Sequence, residues 1–357
     1  MELSIAKPEL IASLSAVVGC IDARAVMPQL ACVHVVAGES AVFEATNLIE
    51  SFRYESAALV IEEGGALLPA KMLQRIAKSL PNTAVTIRSE KGHATIGAGG
   101  AVFDIPALDP KEFPGFPEVS RELTVTIGAE DFSNAVKRVA PFVMRWDKSE
   151  NSCLRGVHVY VSGGSLMFDA TDSYKMCRCC VLRGLDVEFD AVIPVSMIGF
   201  ALSSEEGDVT IGIGGNQVSI SSGSVTFVSR MIEGSYPKTD ALFKTVGMSD
   251  VVIDRESLMG VLKRASALDG GKSPVLIEFS PGAGTVSYSI ADGGSMREGI
   301  ACECEFGCSV YVNIKFMQDA LSSIDSASVS IKVLEGKPII LNGENVHAVV
   351  MPMTRKG

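Results

Sequence analysis

Cysteine and histidine are the residues in this 357-residue chain best suited to metal or redox chemistry, and it holds nine and four of them. Six of the cysteines fall in two groups, Cys177, Cys179, Cys180 and Cys302, Cys304, Cys308. A zinc knuckle needs paired C-x2-C spacing, which neither group has. His34, His93, His158 and His347 stand apart, without ligand spacing. Cys302 and Cys304 alternate in a β-like run, which puts both on one face. The chain opens Met1-Glu2-Leu3-Ser4-Ile5, without the basic and apolar regions of a secretory signal. An odd thiol count in that setting argues against a disulfide framework. The expectation is reduced structural cysteine, with no metal and no cofactor, in a cytoplasmic protein. No apolar run reaches the ~18 residues that would span a bilayer, so no membrane partner is expected.

Enzymatic chemistry finds little support. The chain lacks a G-x-x-x-x-G-K-[ST] phosphate loop. Gly212-Ile213-Gly214-Gly215-Asn216-Gln217 misses the last glycine of the dinucleotide pattern and follows hairpin periodicity. Carboxylates form no recognisable acid–base pair. No catalytic residue is expected. The basic residues are better ordered. Lys71, Arg75 and Lys78 recur at i, i+4, i+7, which stacks three cations on one helical stripe. Dibasic pairs Lys137-Arg138 and Lys263-Arg264 follow at matching places, with Arg145 and Lys148 just after the first pair and Arg24 earlier in the chain. The net charge of −11 opposes nucleic-acid binding only as a sum; the placement of the 31 Lys and Arg residues decides.

These residues are carried by elements that occur three times. Amphipathic segments begin at Ile5, Ile127 and Ile253, and their apolar positions keep register: Leu10, Leu14, Val17; Phe132, Val136, Val139; Leu258, Leu262, Ala265. Two strands follow each helix. His34-Val35-Val36 leads to Phe43-Glu44-Ala45-Thr46-Asn47, His158-Val159-Tyr160 leads to Phe168-Asp169-Ala170-Thr171-Asp172, and a looser third copy runs from Ile277 to Asp292. His34 and His158 occupy equivalent places and read as packed strand histidines. A second helix is expected over Pro69–Leu80, Pro194–Ser203 and Asn313–Ser322, with Met72, Leu73, Ile76 and Leu80 as the buried face of the first. Each copy closes in a meander whose first turn carries Gly92, Gly215 or Gly336; Asn342-Gly343 signals a tight hairpin in the last. The pattern predicts an α+β protein of three homologous domains, 1–122, 123–248 and 249–357.

An ordered set of segments carries a family resemblance. Leu10…Leu14…Gly19…Arg24…Pro28, Asp109-Pro110…Phe113-Pro114, Ala170-Thr171-Asp172, Glu233-Gly234-Ser235-Tyr236-Pro237 and Val349-Val350-Met351-Pro352-Met353 together resemble the bacterial DNA polymerase III β subunit, or β sliding clamp, family. The resemblance runs the length of the chain. It implies three tandem DNA-clamp domains, each with two helices packed on antiparallel sheets, closed into a ring as a head-to-tail homodimer. The function it implies is a processivity factor for DNA replication. Such a ring encircles double-stranded DNA non-specifically and topologically, through Arg24, Lys71, Arg75, Lys78, Lys137, Arg138, Arg145, Lys148, Lys263 and Arg264. It also implies a pocket for clamp-motif peptides of the polymerase catalytic subunit, the clamp loader and repair proteins. That pocket comprises Leu154, Thr171, Tyr174, Lys175, Met176, Pro237, Leu242, Phe316, Val349, Met351, Pro352 and Met353. Phe103, Ile105, Ala267 and Leu268 would form the dimer interface. The chain departs from the family where Gly-His-Arg usually follows Thr-Asp: it has Ser173-Tyr174-Lys175, and Ala241 replaces a common Arg. The competing reading is a repeat-built protein-interaction scaffold that does not encircle DNA.

Overall fold

Each apolar triplet named above becomes the buried stripe of a helix. Leu10, Leu14 and Val17 lie inward on α1 (Lys7–Val17), Phe132, Val136 and Val139 on α3 (Ala129–Val139), and Leu258, Leu262 and Ala265 on α4 (Arg255–Ser266). The structure, a computed structural model, describes residues 1–21, 25–145, 152–196, 200 and 207–353. The second helices are α2 (Ala70–Ser79) and α5 (Ile314–Ser322); the helix expected over 194–203 falls largely outside the described residues. No helix among the described residues is long and apolar enough to cross a membrane.

Local chemistry sets the helix ends. Asp254 accepts the backbone N–H of Ser257 at 2.7 Å and Asn313 that of Phe316 at 3.1 Å, each meeting an N–H the first turn leaves unpaired. At the far end of α2 the Lys7 ammonium donates to the carbonyls of Lys78 and Leu80, opposite in charge to the helix C-terminus. The buried face of α2 is Leu73, Ile76 and Ala77, with Leu80 just beyond. Met72, expected there, is 36% exposed, because i, i+3, i+4 spacing from Leu73 selects Ile76 and Ala77 and leaves position 72 on the flank.

Packing divides the chain into two compact units, residues 1–133 with 196–231, and 134–195 with 232–357. In the first unit, a five-stranded sheet orders strands 59–62, 2–6, 84–90, 93–98 and 101–106. Its eight-stranded sheet orders 123–128, 208–214, 217–222, 225–230, 50–56, 41–46, 32–37 and 64–69. The second unit holds a twelve-stranded sheet that runs from 190–194 through 175–183, 346–350 and 295–304 to 308–313. The middle repeat is therefore shared out: its first strand and its closing strands extend the sheet of the first repeat, and its strands between 156 and 194 join the third.

Two junctions between repeats make that sharing possible, and they are built alike. Strand Val225–Arg230 pairs antiparallel with Glu50–Ser56, aligning Val225 with Tyr54 and Phe227 with Phe52. Strand Val346–Val350 pairs antiparallel with Lys175–Arg183, aligning Val346 with Cys179 and Ala348 with Cys177. In each case a repeat's last strand covers the edge of its neighbour's hairpin, burying a row of N–H and C=O groups that would otherwise face water.

The turns agree with the repeat. Gly92, Gly215 and Gly336 all adopt positive φ (84°, 59° and 71°), a region glycine enters without a Cβ clash. Asn342-Gly343 forms a wider loop than a two-residue hairpin: the Gly343 N–H reaches the carbonyl of Val346 at 2.8 Å, and Asn342 instead pairs through Oδ1 with His347 Nδ1 at 2.9 Å. His34 stacks on Phe113 with ring centroids 4.6 Å apart, and His158 lies between Tyr160 and Tyr236 at 4.3 and 4.5 Å. Both are packed strand residues. Cys302 is buried, and the half-buried Cys304 donates its thiol hydrogen to the Phe306 carbonyl at 2.8 Å.

Candidate functional site

The second unit contains a cleft built around one turn. Residues 171–175 connect strands Ser165–Thr171 and Lys175–Arg183, and side chains fix the turn internally. Asp172 Oδ1 accepts from the backbone N–H groups of Tyr174 and Lys175, both at 2.9 Å. Thr171 Oγ1 accepts from the Ser173 N–H at 3.1 Å and donates to the Lys175 carbonyl at 2.8 Å. This geometry forces residue 173 into the left-handed region, φ 75°, where a glycine would sit without a Cβ clash. Serine in that conformation costs roughly 1–2 kcal/mol.

The turn aims Tyr174 outward and Lys175 inward. Tyr174 is 64% exposed, its ring stacked 6.3 Å from that of Phe316 at an interplanar angle of 24°. Lys175 is buried. Its ammonium donates to Asp319 and, at 2.7 Å, to the Pro141 carbonyl, and it lies over the Phe142 and Phe316 rings at 5.2 and 5.3 Å. A buried ammonium is tolerable only when paired and hydrogen-bonded, and the rings add cation–π attraction. Lys175 thereby pins Phe316 of α5 to the turn.

Two open cavities flank the Tyr174–Phe316 stack. One, of about 830 Å³, is lined by Tyr174, Phe316, Tyr311, Asn313, Leu276, Met351, Pro352 and Met353, with Ser273, Pro274, Ser287 and Ser289 beyond. The other, of about 570 Å³, is lined by Tyr174, Lys175, Phe316, Pro141, Val143, Met144, Arg145, Asp172, Ser173, Lys315 and Asp319. Residues 351–353 are tied across the first: Met351 N–H donates to the Tyr174 carbonyl at 2.9 Å and Met353 N–H to that of Tyr311 at 2.7 Å.

Of the twelve residues expected in a peptide pocket, Tyr174, Lys175, Phe316, Met351, Pro352 and Met353 line these cavities. Leu154, Thr171, Met176 and Val349 lie beneath them, each below 9% exposure, and Pro237 is exposed. Leu242 covers Met176 and Val349 together with Phe243 and Met248. An arginine holds that cover in place. Arg178 donates to Asp169 and Asp240 at 2.8 Å and to Thr239 at 3.0 Å, with Phe243 stacked at 4.6 Å. Sequence reasoning missed Leu276, Tyr311 and Asn313, which come from distant strands, and Asp319, which lies on α5 beside the expected Phe316; none carries a local signal. Arg145, expected at DNA, lines the smaller cavity beside Lys315.

The other basic residues divide by partner. Lys71, Arg75 and Lys78 are exposed along one stripe of α2, and Arg75 Nε donates to the Lys71 carbonyl at 3.2 Å. Lys137 and Lys263 are exposed. Arg138 is engaged by Asp325 and, at 3.9 Å, by Cys179 Sγ; Arg264 forms a two-point pair with Glu298 at 2.5 and 2.9 Å. Arg24 and Lys148 lie outside the described residues. Of the expected interface residues, Phe103 is 36% and Leu268 39% exposed, Ala267 is exposed, and Ile105 is buried at 4%. Ile105 shares the inward face of its strand with Phe103 but sits deeper, while the neighbouring Val102, 65% exposed, faces out.

Repeats whose sheets join edge to edge, with an apolar cleft pinned by one buried lysine, define a repeat-built binding protein. The chain matches the N-terminal, central and C-terminal domains of the DNA polymerase III beta subunit over residues 1–117, 126–238 and 242–354, and it belongs to that family. The beta sliding clamp of Staphylococcus aureus is 25% identical over 375 residues, 99% of each chain. The crystal structure of the DNA polymerase sliding clamp from Bacillus subtilis superposes with a TM-score of 0.91 at 22% identity, covering 99% of each chain. A DnaN sliding clamp from Bartonella birtlesii, bound to griselimycin, gives 0.93 at 19%, covering 99% of this chain and 100% of the other.

Proposed function

We propose that this protein is a DNA sliding clamp: a non-catalytic processivity factor that closes as a head-to-tail homodimer around duplex DNA and holds replication proteins there. Membership of the family supports the reading. The observation that carries it is the pair of matching junctions. Two of three repeat-to-repeat edges are closed within the chain, and the third set is left over. Strand Ala101–Pro106 ends its sheet, and residues 295–301 pair as a strand with Ala283–Ser289 alone, with no described strand on their other side. A second copy supplies what each edge lacks, and a contact of this head-to-tail kind that closes under rotation makes a ring.

The internal junctions also give the register. Hairpin positions equate Ala101 with Val225 (each pairs across its hairpin three residues back, with Ala98 and Ser222) and Glu298 with Tyr54 and Cys179. The third junction then aligns Ala101 with Glu298, Val102 with Arg297 and Phe103 with Met296 of the partner. Val102, Phe103, Ala267 and Leu268 become the interface, and Ile105 supports it from the core. A double variant, Phe103→Cys with Met296→Cys, tests this by oxidation: covalent dimers at micromolar protein are expected. A monomer in solution, with no crosslink above the wild-type background, defeats the ring.

Lys71, Arg75, Lys78, Lys137 and Lys263 are the cations available for phosphates; Arg138 and Arg264 first have to share charge with Asp325 and Glu298. Contacts of that kind carry no sequence information and weaken with salt, which suits sliding. The cleft at Tyr174 and Phe316 is the docking site for short apolar peptides of the polymerase, the clamp loader and other partners. Met351 and Met353, 37% and 38% exposed, give it adaptable walls. Lys175 replaces an arginine fork with a point charge already spent on Asp319, so peptide selection here rests on shape and apolar contact.

A further inference from the structure

The turn that builds the cleft in the second unit is built a second time in the first unit, with the charge reversed. Thr46 Oγ1 accepts from the Leu48 N–H at 3.0 Å and donates to the Glu50 carbonyl at 2.9 Å, as Thr171 does for Ser173 and Lys175. Asn47 Oδ1 accepts from the N–H groups of Ile49 and Glu50 at 3.0 and 2.8 Å, as Asp172 does for Tyr174 and Lys175. Leu48 is left-handed at φ 73°, matching Ser173 at 75°. A leucine bears that conformation poorly, so the turn is held by its own hydrogen bonds and by the junction behind it. By this equivalence Ile49 stands where Tyr174 does, and Glu50 where Lys175 does.

A cavity follows there too. About 450 Å³ opens between α1 and strand Glu50–Ser56, lined by Ala12, Ser15, Ala16, Gly19, Glu50, Phe52, Tyr54, Ser196 and Val225. Among the described residues lining it there is no lysine or arginine; Glu50, which accepts from the Ser196 hydroxyl, is the one charged group among them. The repeat explains the open volume. Ser15 and Ala16 fall 122 positions before Lys137 and Arg138, and in the later repeat that helix position carries a guanidinium held by Asp325 and Cys179, where the first repeat has only a methyl group. Burial first, and the Glu50 carboxylate second, push the nearby Cys20 thiol up to about 12. Leu48 and Ile49, the two residues before Glu50 on the same turn, are 51% and 61% exposed.

We infer that the first unit carries a second peptide cleft, the charge-inverted counterpart of the one at Lys175, which takes an arginine side chain next to an apolar residue. The incoming guanidinium enters the cavity beside Ala16, the position that Arg138 holds in the next repeat, and pairs with Glu50; the apolar neighbour packs on Leu48 and Ile49. The inference rests on the geometry of the first unit, and it extends the peptide-docking reading without requiring it.

The probe is a fluorescein-labelled hexapeptide, Ala-Ala-Arg-Leu-Ala-Ala, with a Glu-for-Arg version as control, read by anisotropy on the full-length protein. Saturable binding of the Arg peptide, at least tenfold weaker for the Glu peptide, is expected. Glu50→Lys, which copies the charge at 175, and Ala16→Arg, which supplies the guanidinium from within, each weaken it at least tenfold. Tyr174→Ala leaves it unchanged. Ala16→Arg keeps the test decisive if Glu50→Lys alters the melting temperature, because position 16 is only half-buried. Loss of binding in Tyr174→Ala with neither first-unit variant affected overturns the inference and assigns the probe to the second unit. No saturable binding, or equal affinity for both peptides, overturns it outright. The apolar-peptide reading of the Tyr174 cleft stands or falls separately, on whether Tyr174→Ala weakens a peptide without charge.

Discussion

Single side chains fix the local geometry, and several do so against their own burial. Glu44 is 5% exposed on strand Ala41–Thr46, and burial pushes its carboxyl up; the hydrogen bonds from His34 (2.9 Å) and Arg53 (2.8 Å) outweigh that and hold it below the ordinary value. A carboxyl depressed in the folded state contributes stability above its unfolded value and loses it as pH falls through the folded one. Urea unfolding midpoints should therefore drop as pH is lowered below about 4.5, and Glu44→Gln should flatten that acid limb while lowering the neutral plateau. An unchanged acid limb in the variant would remove Glu44 from the account. Lys175 is the parallel case in the second unit. Lys175→Met leaves Asp319 without its ammonium and frees Phe316; a loss of about 3 kcal/mol is expected from chemical denaturation, with weaker docking of apolar peptides.

At the scale of elements, helices divide labour between an apolar face that anchors and a polar face that meets solvent. On α2, Leu73 has no exposed surface, and Leu73→Ala should cost about 2–5 kcal/mol by removing packed methyl groups. Reversing the opposite stripe, with Lys71, Arg75 and Lys78 all changed to Glu, should leave the melting temperature nearly unaltered, because exposed charges contribute little to stability. The same triple variant should weaken duplex binding at low salt and flatten its salt dependence by about three counterions. Equal affinity for duplex DNA in the variant and the wild type would exclude α2 from the DNA-facing surface. Periodicity in the sequence revealed both faces, but not the flank position of Met72 or the engagement of Arg138 by Asp325, a residue 187 positions away.

For the whole molecule, the clamp reading turns on closure. Retention through topology needs no tight contact, so the expected behaviour is slow loss from nicked circular duplex and fast loss once the circle is cut. Gel filtration of loaded complexes before and after linearisation measures it; identical loss from both forms favours the scaffold reading. The acidic total of −11 fits a protein whose cations gather at few places while carboxylates such as Glu50 occupy others.

Much of this was legible in the residues themselves. Threefold apolar periodicity, glycines at equivalent turns and paired strand histidines prescribe three copies of one α+β unit, because those patterns depend on near neighbours in the chain. The second-helix cations could be named the same way, whereas the six expected residues that line the cleft came from the family resemblance alone. What the tertiary structure decided was every relation set by distant pairing: that the middle repeat is divided between two units, that Lys175 is buried against Asp319, and that Tyr311 and Leu276 line the cleft. It also decided that Glu50 stands in the first unit where Lys175 stands in the second. Edge pairing and burial depend on which strands meet, and strands far apart in sequence meet only once the sheets have formed.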